Sequence, residues 1–379
     1  MEKNLIGKVF HEIADSIESG NFSKKFKIAV TNLGSELGTE TVNQAIRNAK
    51  SNLYDIVVIG EKFSDEFETY EADCGEDMYD TMEKLLDEKK IDACITMHYN
   101  FPIGVATIGR VITPYRGREM FIASTTGTSA IDRVEAMLRN AIAGKIAAKA
   151  SGIDKPKVGI LNVDGARSVE KALNQLKANG FDIEFAVSDR ADGGAVMRGN
   201  DLIRGTSDIM VTDTLTGNLL MKMFSSFNSG GDYEVSGYGY GPGIGIDFER
   251  NIFIISRASG IPVISNAIRY AYDMLNGDIN RIRKEVYEEA KKNGFEEIVN
   301  ELVQSIKATC DEEIKMPEKE IVSKEIAGID ILEIEDAVLA LWKENIYAES
   351  GMGCTGPIVI VSEANFDKAK KILEDAHFI

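Results

Sequence analysis

Two α/β domains, each a doubly wound αβα arrangement, are what this sequence predicts. Short β-branched runs alternate with helical stretches of about 10–15 residues, the pattern of βαβ units and a mostly parallel sheet. The alternation restarts after "SGIDKP" at 151–156, whose Gly and Pro mark a boundary. At 379 residues the chain is long for one core.

The elements follow in order. "MEKNLIGKVFHEIADSIESG" carries Leu5, Ile6, Val9, Phe10, Ile13 and Ile17 at helical spacing interrupted by charge, a docking helix and not a secretory signal. "FKIAVTNLG" leads into "TETVNQAIRNAKSN", and "YDIVVIGE" follows. "IDACITMHY" leads into "PIGVATIGRVI"; then come "EMFIASTTGTS" and the long helix "AIDRVEAMLRNAIAGKIAAKA". After the restart the chain reads "KVGILNVDGA", helix "RSVEKALNQLKANG", strand "FDIEFAVSD" and "SDIMVTDTLTGNLLMKMF". "NIFIISRASGIPVISNAIRYAYDML" repeats the strand-to-helix switch, and 280–336 turns charged and helical. The ending is helix "DILEIEDAVLALWKENIYAES", a loop holding Cys354, strand "PIVIVSEAN" and helix "FDKAKKILEDA". We therefore expect an amphipathic helix at 1–25 and α/β domains at 26–150 and 151–264. At 265–379 we expect a helical segment returning to the first domain, then a βα unit carrying Cys354.

Composition narrows the function classes. A net charge of −18 argues against nucleic acid, whose phosphates demand clustered Lys and Arg. No apolar run reaches the roughly 18 residues of a membrane span. The four cysteines, Cys74, Cys94, Cys310 and Cys354, are isolated. With only His11, His98 and His377 beside them, neither a disulfide framework nor a zinc site is expected, and the cytoplasm is the natural compartment.

In parallel sheets ligands collect at the carboxyl ends of strands. "NLGSELGTET" fits an anion loop or an ordinary turn with Thr39 or Thr41 capping the helix. "STTGTSAID" offers hydroxyls for a phosphate, or simply a capping box from Ser129 to Asp132. "NSGGDYEVSGYGYGPGIGID" matches neither familiar nucleotide motif and reads as a mobile, closely approached or Ω-type loop. Ser256–Arg257 ends a strand with a hydroxyl and a fork of donors suited to phosphate or to a surface ion pair. Arg110, Arg116 and Arg118 are further cations of that kind. His98 ends a strand, placed to act as a neutral-pH base or to satisfy a backbone carbonyl.

The most unusual stretch is "SGMGCTGPIVIV". Glycines leave backbone N–H groups unshielded, so Gly353, Thr355 and Gly356 could form a nest around the Cys354 thiol. A nest of that kind holds a thioester oxygen as charge develops on it, worth about 3–4 kcal/mol in an oxyanion hole. The same residues also suit a small buried hydrophobe in a tight turn. Cys74 lies among acids, Cys94 reads as core and Cys310 lies on a helix, so Cys354 is the thiol presented.

Two resemblances build on these residues. "SDIMVTDTLTGNLLMKMF" with "GPGIG…FIISRASG" resembles the phosphate acyltransferases, which share a two-domain fold with isocitrate and isopropylmalate dehydrogenases. It implies that Asp213, Thr216, Gly217 and Asn218 form a signature at a domain cleft, with Ser256–Arg257 and Arg110 near phosphate. The chain departs from the phosphotransacetylases with "MHYNFP" in place of a hydroxyl-rich segment, which weighs against coenzyme A.

The second resemblance covers the whole chain. "AESGMGCTGPIVIVSEANFDKAKKILEDA" and the order of units are similar to the alpha subunits of component C of glycine/sarcosine/betaine reductases. This implies an anaerobic amino-acid fermenter, a beta subunit and selenoprotein A as partners, and a hetero-oligomer, with a homodimer open for the isolated chain. It implies no bound cofactor and orthophosphate as co-substrate. Cys354 would accept an acetyl group as thioester, and phosphate would release acetyl phosphate. Two alternatives stay open: direct phosphate attack on coenzyme A or acyl-carrier thioesters, and a non-catalytic scaffold.

Overall fold

β1 (Phe26–Thr31) and β2 (Tyr54–Gly60) are near-continuous apolar runs, the composition of strands covered on both faces. They pair in parallel from Phe26↔Tyr54 to Thr31↔Ile59. The structure, a computed structural model, describes residues 25–189, 193–302, 315–329, 333–353, 356–376 and 378–379. It divides into two compact units, one ending at Leu302 and one starting at Val303.

The first unit is built on a twelve-stranded sheet. Its further strands are β3 (Glu68–Glu71), β4 (Ala93–Thr96), β5 (Val105–Ile112), β6 (Glu119–Thr128), β7 (Lys157–Leu161) and β8 (Glu184–Phe185). β9 (Val196–Met197), β10 (Ile209–Val211), β11 (Gly241–Ile244) and β12 (Ile252–Ile254) complete it. The order is β3-β2-β1-β4-β12-β11-β5-β6-β10-β7-β8, with β9 also on β7. Two parallel groups, β3-β2-β1-β4-β12 and β6-β10-β7-β8, are joined through antiparallel β11 and β5. The α/β class and the mostly parallel sheet expected from the sequence are thus present.

Helices connect the parallel strands: α1 (Thr39–Asn48), α2 (Glu76–Asp87), α3 (Arg133–Ala150), α4 (Ala166–Ala178), α5 (Gly199–Arg204), α6 (Thr214–Ser226), α7 (Ile261–Asn276) and α8 (Ile279–Lys292). α3 is buried nearly all round, consistent with its Ala- and Gly-rich sequence and weak amphipathicity. Among the described residues no helix is long and apolar enough to cross a membrane.

Local readings change in three places. "PIGVATIGRVI", which follows β4, becomes β5, antiparallel to β6 and β11. The glycine-dense "GPGI" supplies β11 in the middle of the sheet. It fits because Gly241 has φ +84 and a Cβ there would lie 1.8 Å from the Ile108 carbonyl oxygen. The caps also move: Asp132, not Ser129, caps α3 through Glu135 N–H, and Gly38 is the N-cap residue of α1 while the Thr41 hydroxyl donates to Leu37 O.

The second unit is a three-stranded antiparallel sheet, β13 (Lys324–Ala327), β15 (Gly356–Val361) and β14 (Ala348–Gly353), in the order β13-β15-β14. α9 (Ile334–Lys343) and α10 (Phe366–Asp375) close its core, where Val338, Leu341, Val359, Val361 and Leu373 meet. "AES", read from sequence as the end of a helix, and "GMG", read as the start of the cysteine loop, together form β14. The β14–β15 hairpin runs from Ala348↔Val361 to Gly353↔Gly356. The two residues between those glycines, Cys354 and Thr355, lie outside the described residues.

Gly241→Ala should destabilise the first unit by on the order of 3 kcal/mol, since backbone and not a movable side chain blocks the added carbon. Gly152→Ala, with open space around its Cβ, should cost only about 1–2 kcal/mol of backbone strain. Urea denaturation of both variants measures the difference; equal costs would contradict the close approach at β11.

Candidate active site

β10 delivers Asp213 to the start of α6. Its carboxylate accepts from Thr216 N–H at 3.0 Å and from the Thr216 hydroxyl at 2.6 Å, and it pairs with Arg133 at 3.3 Å. Burial would raise the titration of this acid, but the two Thr216 bonds and Arg133 hold it below the usual carboxylate range. Gly217 lets α6 lie directly on β6, because a Cβ there would come within 1.8 Å of Ser124 O. The Asn218 amide donates to Thr125 O at 2.9 Å, and the Thr214 and Ser124 hydroxyls are 3.1 Å apart. Thr216, Gly217 and Asn218 are therefore brought together, and their polar atoms anchor the helix.

From Thr125 the bonding continues. Its hydroxyl donates to Tyr240 O at 2.8 Å, and the Tyr240 hydroxyl donates to Glu234 at 3.0 Å. The other Glu234 oxygen accepts from the Ser259 hydroxyl at 2.9 Å. Ser259 Oγ in turn accepts from Ser256 N–H at 3.0 Å, and Ser256 Oγ accepts from Ala258 N–H at 3.1 Å. The two motifs read from sequence, at α6 and at Ser256–Arg257, are linked by one chain of hydrogen bonds.

Glu234 is almost fully buried, and burial pushes its carboxyl up against the opposing bonds from Ser259 and Tyr240 and the charge of Lys222. Its backbone also clamps the turn: Glu234 N–H donates to Ala258 O and Gly260 N–H to Glu234 O, at 2.9 and 2.8 Å. Gly260 is the N-cap of α7, so the Ser256–Gly260 turn sits at the positive end of a 16-residue helix. Arg257 is exposed, and its carbonyl accepts from Glu36 N–H at 2.9 Å, which seats the β1–α1 loop beside it. Lys222, exposed on α6, places its ammonium 5.9 Å from the centre of the Tyr240 ring. Among the described residues neither Arg257 nor Lys222 has an ion-pair partner, so both heads are available to an anion.

The remaining candidates lie apart from this chain of bonds. Arg110 is spent on Glu119, on Asp273 at 3.1 Å and on the Tyr238 ring at 4.4 Å, while its carbonyl holds Tyr238 N–H. Its fork therefore fixes the entry to β11. His98 is exposed just beyond β4, its carbonyl accepting from the Thr96 hydroxyl. Arg116 stacks on Tyr115, and Arg118 pairs with Asp208. Cys94 is buried and burial pushes its thiol up, as a core residue requires. Cys74 is exposed. Gly353 and Gly356 form the last described pair of the β14–β15 hairpin, in the other unit.

Sequence reasoning missed Glu234, Lys222 and Arg133. Glu234 lies in a glycine–tyrosine loop with no periodicity to mark it as buried. From sequence Arg133 is one more charged helix residue, and its pairing with both Asp164 and Asp213 depends on three helix N-termini meeting.

The fold is an α/β sheet with this polar chain at its strand ends, and its sequence has relatives among known proteins. Residues 26–360 match the family described as "Fatty acid synthesis protein", and the chain belongs to that family. Along its whole length it is similar to the "Glycine/sarcosine/betaine reductase complex component C subunit alpha" of Peptoclostridium acidaminophilum. Identity is 54% over 380 residues, covering 100% of this chain and 99% of that one. A phosphate acyltransferase of Lysinibacillus sphaericus (strain C3-41) is 29% identical over 151 residues, 36% of this chain and 44% of the other. A branched-chain phosphotransacylase from Enterococcus faecalis V583 aligns over 66% of this chain and 99% of that one, with TM-score 0.48 and 14% identity. The whole-chain resemblance read from "GMGCTGP" and the unit order is borne out.

Two substitutions test the polar chain. Asp213→Ala should lower stability by about 1–2 kcal/mol near neutral pH. Because the folded-state carboxyl titrates low, that deficit should shrink as pH falls below about 4. Glu234→Gln has the opposite sign. The raised carboxyl means that wild type loses stability as pH rises above about 4.3, so the variant should gain on it over that range. Urea denaturation across pH reads both; a pH-independent gap for Glu234→Gln would contradict its buried, raised titration.

Proposed function

We propose that this chain is the acetyl-phosphate-forming subunit of a glycine, sarcosine or betaine reductase complex. The observation that carries the reading is the full-length similarity to a component C alpha subunit, in a chain that sets one cysteine among glycines. Cys354 becomes an acetyl thioester at the expense of carboxymethylated selenoprotein A: the Se–C bond breaks, the CH2 carbon is reduced to CH3 as selenium is oxidised to a selenenylsulfide with a second thiol, the carboxyl oxygen leaves as water, and the C–S bond to Cys354 forms. Orthophosphate then attacks the acyl carbon; a C–O bond forms, the C–S bond breaks, and the thiolate leaves as acetyl phosphate departs.

The chemistry asks for little acid–base help. Phosphate is already an anion at neutral pH, so it must be held and aimed more than deprotonated, within about 3–3.5 Å of the acyl carbon. In the first unit Ser256 and Arg257 present a hydroxyl and a planar fork at a helix N-terminus, and Lys222 adds a second cation, groups of the kind that bind phosphate. Gly353, Thr355 and Gly356 offer N–H groups to the thioester oxygen. His98 is dispensable in this scheme, Arg110 supports the site by holding the loop before β11, and no cofactor is required. The beta subunit of component C and selenoprotein A are the protein partners.

Incubation with acetyl phosphate followed by mass spectrometry tests the covalent route. An adduct of about 42 Da is expected on Cys354, and none on Cys354→Ser. Activity without an adduct would favour direct attack on a coenzyme A or acyl-carrier thioester, the route suggested by the phosphate acyltransferases among the relatives. Cys354→Ala should abolish acetyl phosphate turnover with the circular dichroism spectrum unchanged. Arg257→Met should raise the KM for phosphate about tenfold or more, the loss of a charged hydrogen bond; an unchanged KM would remove Arg257 from the site.

A further inference from the structure

α6 and its C-cap read "TLTGNLLMKMFSSF", in which Lys222 is the only charge. No carboxylate stands between Asp213 and Asp232. A helix so poor in charge and apolar on opposite faces belongs in an interior. Only one side of α6 is covered. There it packs on β6 and β5, with Met221 in the core and Leu220 and Phe224 partly buried against it. On the outer side Leu215 is 82% exposed, Leu219 60%, Met223 55% and Phe227 77%.

These four residues stand at i, i+4, i+8 and i+12, which makes them one ridge on the helix surface. Phe227, the C-cap, keeps helical angles of φ −56 and ψ −42, so the ridge continues through it. Its length is about 18 Å. Single apolar side chains scattered on a surface are ordinary, whereas a contiguous row of large ones marks an interaction surface.

The occupant that fits is a second copy of this chain, for three reasons. Even spacing makes the ridge self-complementary. Under a two-fold axis at the level of Met221, Leu219 meets the partner's Met223, and Leu215 approaches the partner's Phe227. Ridges of this i±4 kind interdigitate with their like at a crossing angle of about 50°, the commonest helix packing in globular proteins. Charge points the same way. Copies carrying a net −18 repel one another, and approach is least opposed across a face without carboxylates. Finally, a partner that visits only during turnover would leave the row bare between visits, whereas a second copy is present wherever the chain is.

We propose that α6 joins two copies of this chain, ridge against ridge across a two-fold axis. The helix then serves twice. Asn218 ties it to Thr125 in the candidate site, and its outer face holds the second copy.

Sedimentation velocity of the full-length chain should show a species of twice the single-copy mass. Leu219→Glu sets two carboxylates at the centre of the contact and should weaken association on the order of a hundredfold, with the circular dichroism unchanged. The same change at Leu53, an exposed leucine outside α6, should leave association intact. Phe227→p-benzoylphenylalanine, in a mixture of isotopically light and heavy chains, should on irradiation link light to heavy within 214–227. A chain that stays single at every concentration, a pair indifferent to Leu219→Glu, a link confined to one copy, or a link outside 214–227 would each overturn the proposal.

Discussion

The candidate site depends on one buried run of hydrogen bonds: Asn218 to Thr125, Thr125 to Tyr240, Tyr240 to Glu234, Glu234 to Ser259 and Ser259 to Ser256. Each bond is modest alone, but in a low-dielectric interior a fully satisfied chain sets one geometry and penalises others. Glu234 is the pivotal member, since one carboxylate oxygen and both its backbone groups hold the turn that displays Arg257, while the other oxygen holds Tyr240. Keeping a carboxylate almost wholly buried is expensive, and the return is a rigid Ser256–Gly260 turn at the head of α7.

The sheet explains why such a run is possible. β11 and β5 run antiparallel between two parallel groups, so the loop entering β11 from Glu234 passes beside the end of β12 and reaches β6. Gly217 and Gly241 permit the two closest backbone approaches on that route, α6 to β6 and β11 to β5. Cations with free heads then remain at the surface while the acids that orient the loops are interior.

Much of this was legible in the sequence and the rest was hidden for identifiable reasons. β1, β2 and the helices that follow the parallel strands announce themselves through continuous β-branched runs and 3.6-residue periodicity. β5 and β11 do not, because "PIGVATIGRVI" and "GPGI" derive their strand character from neighbours on both sides. The Asp213–Asn218 and Ser256–Arg257 motifs were visible; that Thr216 and Asn218 serve as anchors, and that Arg110 is consumed by Glu119 and Asp273, emerges only from packing. Ser256 and the α6 signature lie more than thirty residues apart with a featureless loop between, so Glu234 could not be recognised as their link.

Isotope exchange tests most directly whether a covalent acyl-enzyme forms and is discharged by phosphate. The chain, mixed with acetyl phosphate and radiolabelled orthophosphate and no other acyl acceptor, should move label into acetyl phosphate. It should lose that exchange on Cys354→Ser. Exchange that appears only when coenzyme A or an acyl-carrier thiol is added, or that survives the loss of the Cys354 sulfur, would contradict it.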